Sequence, residues 1–146
     1  MSTSYLKLPH EAKVLRDDAL RQLCLNGATV GFVLHVGLNY YRGLPLSAIE
    51  RFQITIDGAV VPEHLILVEH NDKLFAVDQL PLAFTEFWGV KRDLHVRVYN
   101  GGLAAGEHHV TVGIDLRCIY MELAPGIWGM IDGSAERDLM LQDETK

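Results

Sequence analysis

The chain has 146 residues, of which 49% are hydrophobic and 22% charged. That suits one domain with a packed core and excludes wholesale disorder. A formal net charge of −6 and a pI near 5.6 exclude the basic face that neutralises phosphates, and with it a nucleic-acid binder.

The opening stretch MSTSYLKLPHEAKVLRDD lacks the apolar core of a secretory signal. No apolar run reaches the length of a membrane span, so a cytoplasmic protein is expected. AKVLRDDALRQLCL, from Ala12 to Leu25, has helix-forming composition, yet Asn26-Gly27 follows it as a hairpin requires, and a strand is preferred. Val30, Phe32, Leu34 and Val36 then alternate with Gly31, Val33 and His35, the period of a strand with one buried face. Tyr40-Tyr41-Arg42 comes next, in a connection, followed by the stiffened apolar step Leu44-Pro45-Leu46.

Phe52, Ile54 and Ile56 form the next strand pattern, closed by Asp57-Gly58, a strong two-residue hairpin signal. Asn71-Asp72 turns HLILVEH back into KLFAV. FTEFWGV carries Trp88 ahead of a strand with Leu94, Val96 and Val98 on one face, and Asn100-Gly101-Gly102 ends that strand. The longest pattern starts at His108, with Val110, Val112, Ile114, Leu116 and Cys118 sharing a face. The tail from Glu122 has turn residues, acidic clusters and isolated apolar groups. The expected fold is all-β, an antiparallel β-sandwich of immunoglobulin-like or jelly-roll-like type over residues 1–121. Residues 122–146 are expected as an irregular C-terminal extension outside it.

No self-sufficient active site emerges from the residue types. Cys24 and Cys118 fit neither metal nor redox spacing and are expected reduced, Cys118 as an inert buried thiol. His108 and His109, adjacent on a strand, point to opposite faces and cannot chelate one ion together. His35 and His95 can meet only if their strands pair. Ser47 and Ser134 lack a nucleophile-elbow context, and GGLAAG at Gly101–Gly106 lacks the lysine and the following helix of a phosphate loop. The cluster Tyr40, Tyr41 and Arg42 remains: residue types that anchor interfaces, placed on a loop at one end of a rigid sandwich. Trp88 is a second candidate, against the alternative that a lone tryptophan fills the core.

These residues carry a resemblance. YYRGLPLSAIERFQITIDG, then FWGV, then GGLAAGEHHVTVGIDLRCIYM resemble the small beta subunit of the bacterial C-glycoside deglycosidases, over about Val14 to Met121. The chain departs from that pattern in a longer tail after Met121 and in Ala59-Val60, where a more polar hairpin arm is expected. The resemblance implies a β-sandwich that pairs with a larger TIM-barrel subunit similar to sugar-phosphate isomerases. That partner holds a divalent metal, manganese, and this chain holds no cofactor. The complex is implied to cleave the carbon–carbon bond of a 3-oxo-C-glycoside. The 3-keto group acidifies the C2 hydrogen, a base on the partner removes it, and the aglycone leaves by elimination. The residue types then point to Tyr40, Tyr41, Arg42, Pro45 and Trp88 for subunit docking. His108 is a reserve candidate near substrate, against a hydrogen-bonded structural histidine. A free-standing carbohydrate-binding sandwich and an immunoglobulin-like structural module stand as alternatives. The first would want aromatic platforms on a sheet face, where Gln53, Thr55, Arg97, Thr111, Asp115 and Arg117 point outward instead.

Overall fold

In a strand, alternate residues face opposite sides of the sheet, so each alternating run offers one apolar face for burial. The computed structural model describes residues 5–9 and 11–145, with side chains to 142, and the alternating runs become two six-stranded sheets. In chain order the strands are β1 (Tyr5–Leu6), β2 (Leu20–Leu25), β3 (Ala28–Val36), β4 (Leu44–Pro45), β5 (Ile49–Ile56), β6 (Ala59–Val60) and β7 (Ile66–His70). There follow β8 (Lys73–Ala76), β9 (Phe87–Trp88), β10 (Leu94–Val98), β11 (Glu107–Ala124), β12 (Ile127–Asp132), β13 (Ala135–Met140) and β14 (Gln142–Thr145). One sheet runs β1-β12-β11-β5-β6, with β13 also on β11, and the other β14-β2-β3-β10-β7-β8; β4 and β9 form a small separate pair. The all-β, largely antiparallel sandwich is as expected.

The turns follow local chemistry. Asn26-Gly27, Asp57-Gly58 and Asn71-Asp72 all have positive φ at both positions. This is the mirror-image turn whose twist matches that of the flanking strands, and Asn, Asp and Gly tolerate it best. The ambiguous Ala12–Leu25 segment resolves into a short 3-10 turn at Glu11–Lys13 and then β2. Between the sheets lies one core. Phe32, Leu34, Val36, Ile54, Leu94, Val96, Val110, Val112, Ile114 and Leu116 all fall within it. Val33, expected outward, is also buried.

The tail differs from the irregular extension expected of it. β11 runs without a break past Met121 to Ala124 and turns at Gly126, which has positive φ. β12 then pairs with the second half of β11, and β13 with its first half. β14 crosses to the other sheet and lies parallel to β2, while β1 lies parallel to β12. Ile131, Ala135 and Leu139 are buried. The physical reason is the open edge of β11. A long central strand presents a row of unpaired backbone groups, and the tail satisfies them while burying alternate residues from Gly129 to Ala135. Residues 1–4, 10 and 146 lie outside the described residues.

No helix among the described residues is long and apolar enough to cross a membrane.

Candidate functional site

The connection after β3 does not run over the surface. Gly37, Leu38, Asn39 and Tyr40 stay buried, and a Cβ on Gly37 would stand 2.0 Å from the Lys13 carbonyl oxygen. Tyr40 is 4% exposed, with its hydroxyl 3.2 Å from the Cys118 Sγ. Burial, and then that contact, push the Tyr40 phenol well above its ordinary range. Tyr40 is therefore the floor of the site. The chain surfaces only at Tyr41, which is 64% exposed and stacks obliquely on Tyr40 at 4.5 Å between ring centroids.

Arg42 lies over the ring of Tyr120, its Cζ 3.7 Å from the centroid, a cation–π contact. The Tyr120 ring is nearly parallel to that of Tyr40 at 6.4 Å, and its hydroxyl donates to the Gly43 carbonyl at 3.0 Å. Gly43 has a reason to be glycine: a Cβ there would sit 2.3 Å from the Phe87 ring. The β4–β9 pair fixes the far side, with Leu44 opposite Trp88 and Pro45 opposite Phe87. Phe87 and Tyr120 are 54% and 41% exposed.

The residues singled out in the sequence therefore divide. Tyr41 and Arg42 are exposed and Pro45 is half-buried. Trp88 is 1% exposed and donates its Nε1 hydrogen to the Arg92 carbonyl at 2.8 Å, so it shapes the site from within and offers no surface. The sequence reading passed over Phe87 and Tyr120 as contact residues. The signal for Tyr120 is its place beyond Leu116, the last β11 residue paired with β5. An aromatic on an arm that outruns its neighbour lies open on that side. Phe87 was within view as the residue before Trp88.

Five of the histidines meet partners within the chain. His108 is nearly buried. Its Nδ1 faces Asp57 Oδ2 at 2.7 Å and its Nε2 faces the Ala104 carbonyl at 2.7 Å. Both partners only accept, so the protonated ring, with both nitrogens donating, is the form that satisfies both contacts. The Ala104 carbonyl and the Asp57 carboxylate accordingly raise its pKa, and His108 in turn lowers that of Asp57. His109, on the opposite face, sits between Asp138 at 2.7 Å and Glu136 at 3.2 Å, and its pKa is raised by both. His70 meets the Phe87 carbonyl at 2.6 Å. His35 and His95 do meet, because β3 and β10 pair in register, and their rings stack at 4.3 Å. Among the described residues no three His, Cys, Asp or Glu side chains group as a metal site. An open groove of ≈ 370 Å³ beside β5, lined by Arg51, Phe52, Val60, Glu63 and Pro81 among others, includes neither His108 nor any of the candidate docking residues.

What this arrangement offers chemically is a contact surface: three exposed rings around one guanidinium on a rigid floor. The comparisons with known proteins agree with a subunit. The chain is 32% identical over 111 residues to the 3'-dehydrocarminate deglycosidase beta subunit of a Microbacterium species, covering 76% of this chain and 84% of that one. It is 30% identical over 97 residues to the C-glycoside deglycosidase beta subunit of Arthrobacter globiformis, covering 65% and 74%. A third relative, the C-glycoside deglycosidase beta subunit of Microbacterium trichothecenolyticum, is 35% identical over 91 residues, covering 60% and 67%. The model of the C-glycoside deglycosidase beta subunit family matches residues 10–120, and the chain belongs to that family.

Proposed function

We propose that this chain is the small, non-catalytic subunit of a cytoplasmic carbon–carbon lyase that releases the aglycone from a 3-oxo-C-glycoside. The observation that carries the reading is membership of a family of beta subunits, joined to a surface built for contact at Tyr41, Arg42, Phe87 and Tyr120. In this proposal a larger TIM-barrel subunit supplies the metal, manganese, and the base that removes the proton from C2. The present chain contributes a rigid sandwich whose loop end docks beside that centre. The histidines support a structural role for the sandwich: His108 and His109 spend both ring nitrogens, and His70 its Nε2, on carbonyls or carboxylates of this same chain. His108 in particular is a pin between the Asp57 turn and the Ala104 loop.

The test is co-expression of this chain with its larger subunit. The mass of the purified complex and aglycone release from a 3-oxo-C-glycoside are compared with those of each chain alone. A stoichiometric complex, active only with both chains present, is expected. A larger subunit fully active without this chain sinks the proposal, and sugar binding by the isolated sandwich then becomes the reading to examine.

A further inference from the structure

We infer that Arg42 is the docking anchor for a carboxylate on the larger subunit, with Tyr41, Phe87 and Tyr120 as the apolar ring that keeps water from the ion pair. The inference rests on the two-subunit reading above and adds the chemistry of the partner's surface.

Arg42 stands apart from the other arginines of the described residues. Six of them face carboxylates, and Arg92 faces the Asn71 amide oxygen. Arg42 has the Tyr120 ring beneath it and no acceptor among the described residues. Scarcity of acids does not explain this, because the chain has 19 acidic residues to 13 basic ones. A guanidinium resting on a ring is held in place without using its N–H donors. It is thus oriented in advance for the bidentate grip on a carboxylate that arginine makes best.

The support beneath it is rigid. Tyr120 is fixed by its hydrogen bond to the Gly43 carbonyl and by its alignment with buried Tyr40, and Phe87 fills the space that Gly43 leaves open. Exposed aromatics around a single charge reproduce the anatomy of an interface hot spot, where surrounding contacts exclude water from a central polar pair. A net charge of −6 also makes a lone cation in an aromatic patch selective. The rest of this surface repels an acidic partner, so register is set where Arg42 lies.

The experiment measures the dissociation constant of the two-subunit complex with wild type, R42K, R42Q and R42E, each at low and high salt. Thermal melts of the isolated variants serve as folding controls. Loss of a hot-spot arginine should weaken binding by at least about 30-fold in R42Q, more in R42E and less in R42K, with the salt dependence reduced in R42Q. Carbodiimide treatment of the R42K complex should couple the introduced amine to a carboxylate of the larger subunit, located by mass spectrometry of the joined peptides. Losses in R42Q and R42E that fall short of that roughly 30-fold overturn the inference while leaving the two-subunit reading standing. Failure of wild type to bind the larger subunit at all overturns both. A wild-type homodimer that R42E dissolves also overturns it, by assigning the patch to a second copy of this chain.

Discussion

His108 and Asp57 form a charge-assisted bridge of 2.7 Å between the long strand β11 and the turn after β5. Asp57 also accepts from the His109 backbone N–H at 2.9 Å. Its carboxylate therefore ties the positive-φ turn at Asp57 to the neighbouring strand.

This bridge sets a pH dependence. The raised His108 pKa adds stability that is full below the unfolded imidazole value and fades as pH rises through the folded one. The lowered Asp57 pKa adds stability that is full above the unfolded carboxylate value and fades as pH falls through the folded one. The contribution is greatest between about pH 4 and 6.5. H108A should cost about 1–3 kcal/mol in that window and less above it, as read from urea midpoints across pH. A wild-type-to-variant difference that stays flat from acid to alkaline pH refutes the bridge. D57N should keep the turn, since asparagine tolerates positive φ, lose the acid-side limb set by the Asp57 carboxylate, and keep the part of the His108 limb that the Ala104 carbonyl supplies.

His35 should behave in the opposite sense. Burial, and then its stacked neighbour His95, lower its pKa. Its contribution is present above the unfolded imidazole value and is lost as pH falls. NMR titration should place the His35 midpoint below about 6.5 and that of His108 above it. The reverse order would contradict the burial and stacking described here.

Tyr40 and Tyr41 are neighbours with different work. Y40A removes a ring from the floor of the site and should cost about 3–5 kcal/mol of stability. Y41A should change stability by no more than about 0.5 kcal/mol while weakening the subunit complex. Denaturant midpoints of the isolated variants, set beside complex affinities, separate the two effects. Equal loss of stability in both variants would mean that the loop is seated differently.

Two glycines test backbone geometry against turn geometry. A Cβ on Gly31 would stand 1.8 Å from the Val98 carbonyl oxygen. G31A must push β3 and β10 apart, and should cost at least about 2–3 kcal/mol. Gly27 has open space around it and φ of +79°, so G27A carries only the left-handed penalty of about 1–2 kcal/mol. Thermal melts of the pair should show the larger loss at Gly31.

Removal of the tail after Met121 should leave β11 without either strand on that edge and open the core at Ile131, Ala135 and Leu139. A chain of residues 1–121 is expected to aggregate or to lack a cooperative melt. A soluble, cooperatively folding fragment would show that the tail is dispensable to the sandwich.

Much of the fold was legible because its signals are local. The alternation of Val110 to Cys118 fixes which face of β11 is buried, and Asn26-Gly27, Asp57-Gly58 and Asn71-Asp72 dictate their turns through backbone sterics alone. The tail was misread because its alternation is short and its reason lies elsewhere. β12 and β13 are strands because the edge of β11 needs partners, and that need is not written in residues 127–140 themselves.

The site divides in the same way. Residue types alone marked Tyr40, Tyr41 and Arg42 as unusual company for a loop, and they open the first of the three stretches that carry the family resemblance. Which tyrosine faces water was decided by tertiary structure, since it depends on the depth at which the chain leaves β3. So was the meeting of Arg42 with Tyr120, residues far apart in the chain that touch only because β11 outruns β5 on one side of the loop and β9 pairs with β4 on the other. Sequence determines periodicity and turn chemistry, because these act between neighbours. Burial, stacking and charge pairing act through space, and only the packed sheets assign them.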